Sequence, residues 1–141
     1  MNHFDLLTLI QNFQTIYTFL VDHGLLASRR ECVCSVRMIL KERQKTTDGY
    51  IWECPLSNCR KHRSVRVGSF FEDSNISLAK WLCVIYLWSI GESNKRLSLL
   101  TRLSLPTIVT VLDKIRNICS MKILNGNFKL GGRGKIVEID E

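Results

Sequence analysis

The chain has 141 residues, 45% of them apolar and 23% charged, with a formal charge of +7. That length leaves room for one domain or two very small ones and excludes a large core. Its longest apolar run, "WLCVIYLW", is eight residues, which excludes a helical membrane span.

The charge is unevenly placed. Residues 1–28 hold no Lys or Arg, whereas residues 29–66 hold ten against four acids. A basic stripe on a small module suits a polyanion, above all nucleic acid; a merely solvated basic face is the alternative. The opening "MNHFDLLTLIQNFQTIYTFL" has no basic start and carries polar residues throughout, unlike a secretory signal. An intracellular, reducing location is therefore expected, in which six cysteines point to metal or buried thiols before disulfides.

In chain order, residues 4–22 read as one amphipathic helix. Phe4, Leu7, Ile10, Phe13, Tyr17, Leu20 and Val21 recur at helical spacing, and Gly24 stops it. Residues 29–70 then change character. "SVRMILKER", "GYIWEC" and "RSVRV" read as short strands, with an Asp-Gly turn signal between the first two. Such a sheet is too small to hold together by burial alone.

Cys32 and Cys34 form one close pair and Cys54 and Cys59 another, with nineteen residues between the pairs. A zinc ribbon uses this plan: two knuckles, each giving two thiolates to a tetrahedral ion that replaces the missing core. The C-x-C and C-x4-C spacings both depart from C-x2-C, and His62 could stand in for one thiolate. Free or buried thiols are the alternative. Cys83 and Cys119 sit in apolar helical stripes and read as core residues.

Ser77 is placed to cap a helix over residues 77–90, with Leu78, Trp81, Leu82, Ile85 and Trp88 inward and Gly91 at its end. Ser93 caps a second helix, "NKRLSLLTRL". A third runs from about Pro106 to Met121, with Ile108, Leu112, Ile115 and Cys119 inward and Val111 and Ile118 flanking. Two helices joined by a short turn, the second longer, fit the helix-turn-helix pattern as well as a plain helical bundle. In the former, Thr107, Thr110 and Lys114, with Asn117 further along, would face base edges. Lys95, Arg96 and Arg102, with Arg60, Lys61, Arg63 and Arg66 of the basic segment, would hold phosphates. "NGNFKLGGRG" reads as a glycine-rich linker and "KIVEID" as a strand. The expected organisation is α+β: an N-terminal helix over 1–28, a zinc ribbon over 29–72, a helix-turn-helix over 73–124, and linker plus strand over 125–141.

The segments "GYIWEC", "SVRVGSFF", the Trp81 helix and "GKIVEIDE", in this order, resemble the N-terminal half of Merlin-type transposases, eukaryotic relatives of bacterial insertion-sequence transposases. The resemblance covers about Glu31 to Glu141. It implies a zinc ribbon with Cys32, Cys34, Cys54 and Cys59 as ligands, a helix-turn-helix, and the first strand of a truncated ribonuclease-H-like catalytic domain. It further implies binding to double-stranded DNA at the element's terminal repeats, homo-oligomers on DNA, and work in the nucleus. The first catalytic carboxylate would be Asp140. Transposition needs two magnesium ions held between carboxylates from separate strands and a helix. Glu138 shares Asp140's strand face and cannot replace an acid from across a sheet. The chain by itself is thus expected to bind DNA without cutting it, magnesium serving only a full-length parent. A zinc-ribbon protein-interaction module, or a host-adopted DNA-binding protein without transposition activity, is the alternative.

Overall fold

The computed structural model describes residues 2–126; the expected linker from residue 127 and the strand carrying Glu138, Asp140 and Glu141 lie outside the described residues. The fold is α+β, with five helices and one three-stranded antiparallel sheet among the described residues. The chain divides into two compact units, Met1–Gly91 and Glu92–Glu141.

The first unit opens with two helices, α1 (His3–Leu9) and α2 (Phe13–Asp22), where the apolar spacing predicts one. Asn12 makes the break. Its extended backbone leaves the helix, and its side chain accepts the Thr15 N–H as a new N-cap. The interruption shifts the helical phase, so Leu6, Ile16, Tyr17 and Leu20 are buried while Phe4 and Leu7 are exposed. Gly24 ends α2 at a φ of 68°, in the left-handed region that follows so many helices.

The sheet consists of β1 (Ile39–Glu42), β2 (Tyr50–Glu53) and β3 (His62–Ser64), in that order. Leu40 lies opposite Trp52, and Trp52 opposite Arg63. Because side chains alternate across a strand, Tyr50 and Trp52 share one face of β2. That face meets α2: Phe13 stacks on Tyr50 with ring centroids 4.1 Å apart, and Tyr17 meets Trp52 edge-on at 6.5 Å. The Tyr17 hydroxyl donates to the Ala27 carbonyl at 2.9 Å, fixing the chain as it leaves α2.

The loop from β1 to β2 is longer than a tight hairpin. It closes with the Arg43 N–H donating to the Gly49 carbonyl at 2.7 Å, and Asp48 turns inward. Arg66 meets Asp48 through two parallel hydrogen bonds, Nε to Oδ2 at 2.5 Å and Nη2 to Oδ1 at 2.6 Å. Both side chains are 5% exposed. The remaining Arg66 nitrogen, Nη1, donates to the Ser74 carbonyl at 2.8 Å. Asp48 Oδ1 also accepts the Leu78 N–H, the first of α3 (Leu78–Ser89), which places a carboxylate at a helix N-terminus where the dipole favours it. Ser77 caps the same helix, and the Trp81 indole donates to Ser74 Oγ at 2.9 Å. Phe70, Phe71 and Trp81 pack edge to face beside this network. The expected boundary after residue 72 therefore falls inside a unit that continues through α3 to Gly91.

The second unit contains α4 (Asn94–Thr101) and α5 (Leu105–Asn125), capped by Ser93 and Ser104. A three-residue turn joins them, with Arg102 left-handed at a φ of 53°. Leu97 and Thr101 of α4 are buried with Ile108, Val111, Leu112 and Ile115 of α5. Cys119, expected inward, is exposed: burial along α5 ends at Ile115, and Ile118 is exposed as well.

Arg66→Met is expected to destabilise the first unit by about 3–5 kcal/mol, because it strands a buried carboxylate. Lys41→Met, which breaks a pair exposed by 56% and 26%, is expected to cost under about 1 kcal/mol. Urea unfolding followed by tryptophan fluorescence compares the two; equal midpoint shifts would contradict the assignment.

Candidate metal centre

The four cysteines expected to meet do meet. The sulfurs of Cys32, Cys34, Cys54 and Cys59 all lie within 4.8 Å of one another. Two contacts bridge the pairs: Cys32 Sγ to Cys59 Sγ at 3.6 Å, and Cys34 Sγ to Cys54 Sγ at 3.6 Å. Metal–thiolate bonds of about 2.3 Å in a tetrahedron give sulfur–sulfur edges of about 3.8 Å. The cluster thus has the dimensions of a site that could hold a tetrahedral ion. His62 is not part of it and lies exposed on β3.

Local backbone structure creates each knuckle. In the first, the Cys32 N–H donates to the Val36 carbonyl and the Ser35 N–H returns to the Cys32 carbonyl, both at 2.9 Å. In the second, the Cys54 N–H donates to the Lys61 carbonyl at 2.8 Å, and the Cys59 and Arg60 N–H groups both donate to the Leu56 carbonyl at 3.0 Å. Each knuckle's second cysteine is followed at once by a left-handed residue, Ser35 at a φ of 62° and Arg60 at 44°. Neither is a glycine, so each turn carries backbone strain of order 1–2 kcal/mol. The irregular C-x-C and C-x4-C spacings are absorbed in these turns.

The sulfurs compete for protons. A hydrogen bond from the Cys34 backbone, helped by the surrounding thiols and opposed by burial, brings the Cys32 thiol down to about 7. Cys54 is pushed up to about 12: the Leu56 backbone hydrogen bond lowers it, but burial and the neighbouring sulfurs of Cys34, Cys59 and Cys32 raise it by more. One thiolate forms readily and makes the next costly. A bound dication would remove that conflict by stabilising all four thiolates together.

Cations border the cluster. Val33, Met38, Arg60, Lys61, His62 and Arg63 line a groove that reaches Cys32 and Cys59. Lys41, Arg43, Arg60 and His62 line another, beside Cys54. Arg60, Lys61 and Arg63 are exposed and form no ion pair among the described residues. Arg66, expected with them as a phosphate contact, is corrected: only 4% exposed and held by Asp48, it has no face to offer. Nothing in "RKHRSVR" distinguishes it from its neighbours; Asp48, its partner, stood only as part of a turn signal.

In the second unit Lys95, Arg96 and Arg102 are exposed, Arg96 pairing with Glu92 at 2.9 Å. Thr107, Thr110, Lys114 and Asn117 fall on one face of α5 by helical spacing. Thr110 and Asn117 are exposed, and Lys114 is half-buried. Thr107 is half-buried too, its hydroxyl 2.8 Å from that of Ser104 at the cap.

Cobalt(II) added to the reduced chain should give the intense visible bands of a tetrahedral thiolate site at about one ion per chain. Cys→Ser at any of positions 32, 34, 54 and 59 should weaken the bands, and lowering the pH should too, because the ligating thiols must lose protons. Cys83→Ser should leave the bands unchanged; loss of signal there would contradict this ligand set.

No protein-family model, curated protein or solved structure matches the chain.

Proposed function

We propose that the chain is the DNA-binding N-terminal portion of a Merlin-type transposase, recognising double-stranded DNA at the element's terminal repeats through a zinc ribbon and a helix-turn-helix. The observation that carries this reading is the four-sulfur cluster bordered by three exposed cations, Arg60, Lys61 and Arg63, that form no ion pair among the described residues. Zinc fits the donor set, being the ion that four thiolates commonly hold as a closed structural site. When bound, zinc supplies a cross-link between the knuckles and no catalytic step.

The protein's own residues then divide the work. Arg60, Lys61 and Arg63 neutralise phosphates along the duplex and displace its counterions. Lys95, Arg96 and Arg102 do the same for the second unit. The short α4, the three-residue turn and the longer α5 support a helix-turn-helix, with Thr110, Lys114 and Asn117 presented to base edges in the major groove. Thr107, held beside Ser104, suits a phosphate or cap position better than a base contact. The nucleus is the compartment this function requires, and oligomers on paired DNA ends belong to the same reading.

Binding to duplex DNA should fall steeply with salt. The double substitution Arg60→Glu, Arg63→Glu should weaken binding to every sequence and lower the slope of log affinity against log salt by about 2. Lys114→Ala should instead change which sequence is preferred. Affinity that is unchanged between low and moderate salt would overturn the proposal, as would a protein partner retained after nuclease treatment without DNA affinity at any salt.

Zinc is tested separately. Metal analysis of the reduced chain should give about one zinc per chain. A chelator should abolish amide-exchange protection over residues 29–70 while sparing α4 and α5. A folded 29–70 segment with neither metal nor disulfide would refute the zinc assignment.

A further inference from the structure

Two hydrogen-bond-range sulfur contacts in the cluster share a pattern that metal binding alone does not require. Each runs from one knuckle to the other, and each joins an accessible cysteine to a buried one. Cys34 is exposed and lies 3.6 Å from Cys54, which is 1% exposed; Cys59 is half-buried and lies 3.6 Å from Cys32, which is 7% exposed. Oxidation-sensing thiols set an accessible sulfur, which meets the oxidant, beside a second cysteine that resolves it.

We propose that the cysteine cluster is an oxidation site at which a peroxide replaces the metal with two specific disulfides, Cys34–Cys54 and Cys32–Cys59. The accessible Cys34 thiolate attacks one peroxide oxygen. The O–O bond breaks, Cys34 becomes a sulfenic acid, and hydroxide leaves. The Cys54 thiol then attacks the Cys34 sulfur: the S–S bond forms, the S–O bond breaks, and the Cys54 proton leaves with the expelled hydroxide as water. Two sulfurs have lost two electrons and the peroxide has gained them. A second peroxide takes Cys59 and Cys32 through the same steps. With all four sulfurs in disulfides, the chain would offer no thiolate to a bound dication, which would be released.

The pairing decides what becomes of the sheet. Bonds within a knuckle, Cys32–Cys34 or Cys54–Cys59, would leave the two knuckles unconnected. The bonds proposed both join knuckle to knuckle, so they repeat the constraint the metal imposed. The oxidised chain therefore keeps its sheet without metal, whereas the reduced, metal-free chain does not. The groove carrying Arg60, Lys61 and Arg63 borders Cys59, so a cluster closed by either metal or disulfide would hold its geometry.

This rests on the metal reading for its release step only. The full-length chain, zinc-loaded in one arm and stripped anaerobically in the other, is treated with hydrogen peroxide and mapped by non-reducing peptide mass spectrometry. Both arms should give Cys34–Cys54 and Cys32–Cys59, with Cys83 and Cys119 outside these bonds. The loaded arm should release about one zinc per chain, and residues 29–70 should retain amide-exchange protection. A thiol reductant plus zinc should restore the starting state. Cys34→Ser should abolish the Cys34–Cys54 bond and leave Cys32–Cys59 forming. Bonds within a knuckle, Cys32–Cys54 with Cys34–Cys59, or cysteines carried on to sulfinic acid would overturn the inference. A chain that never held zinc but forms the stated pairs would refute the metal reading and leave the pairing standing.

Discussion

The buried Asp48–Arg66 pair is where the loop, the sheet and the third helix become one unit. A single carboxylate accepts two guanidinium hydrogen bonds and the first N–H of α3, while the guanidinium's remaining arm holds the Ser74 carbonyl. Ion pairs of this kind contribute little net stability over an apolar substitute, because burial costs both charges their water. Their value here is geometric. An apolar pair of the same volume could slide; a bidentate pair with every polar atom committed admits one arrangement. It fixes where α3 begins relative to strands only three or four residues long.

Strands that short need holding at both ends. Asp48 lies just before β2 and Cys54 just after it, so one strand connects the polar clamp to the sulfur cluster. Cys34 precedes β1 and Cys59 precedes β3, which brings the remaining knuckle residues to the same end as Cys54. On the face between, α2 covers Tyr50 and Trp52 with aromatic rings. Burial, a charge pair and a sulfur cluster each constrain a different part of the sheet, and none suffices alone for so small a core.

How far the sequence foretold this depends on whether the signal was local. The paired cysteines were legible because a thiolate knuckle is a short-range device, and Ser77 and Ser93 were legible as caps for the same reason. Non-local partnerships were not. Arg66 looks like Arg63 until Asp48, eighteen positions away, is seen to face it. The break at Asn12 was hidden because apolar residues continue at helical spacing across it, and a side chain that caps competes with that rhythm without disturbing it. Cys119 fits an apolar stripe, yet a stripe buries only as far as there is something to cover it, and along α5 burial ends at Ile115.

Arg60 joins the two halves of the proposed function in one residue. Its left-handed backbone closes the second knuckle directly after Cys59, and its side chain lines both grooves beside the cluster. A left-handed arginine persists only where its surroundings hold it there, and strain of this kind gathers at functional sites. Glycine would relieve the backbone but remove the cation; an arginine in an unstrained turn would keep the cation but aim it elsewhere. The two requirements meet only while the knuckle is closed. Whatever closes it, metal or disulfide, also positions the charge, so under the proposed function polyanion affinity at this groove would follow the state of the four sulfurs through the conformation of a single residue.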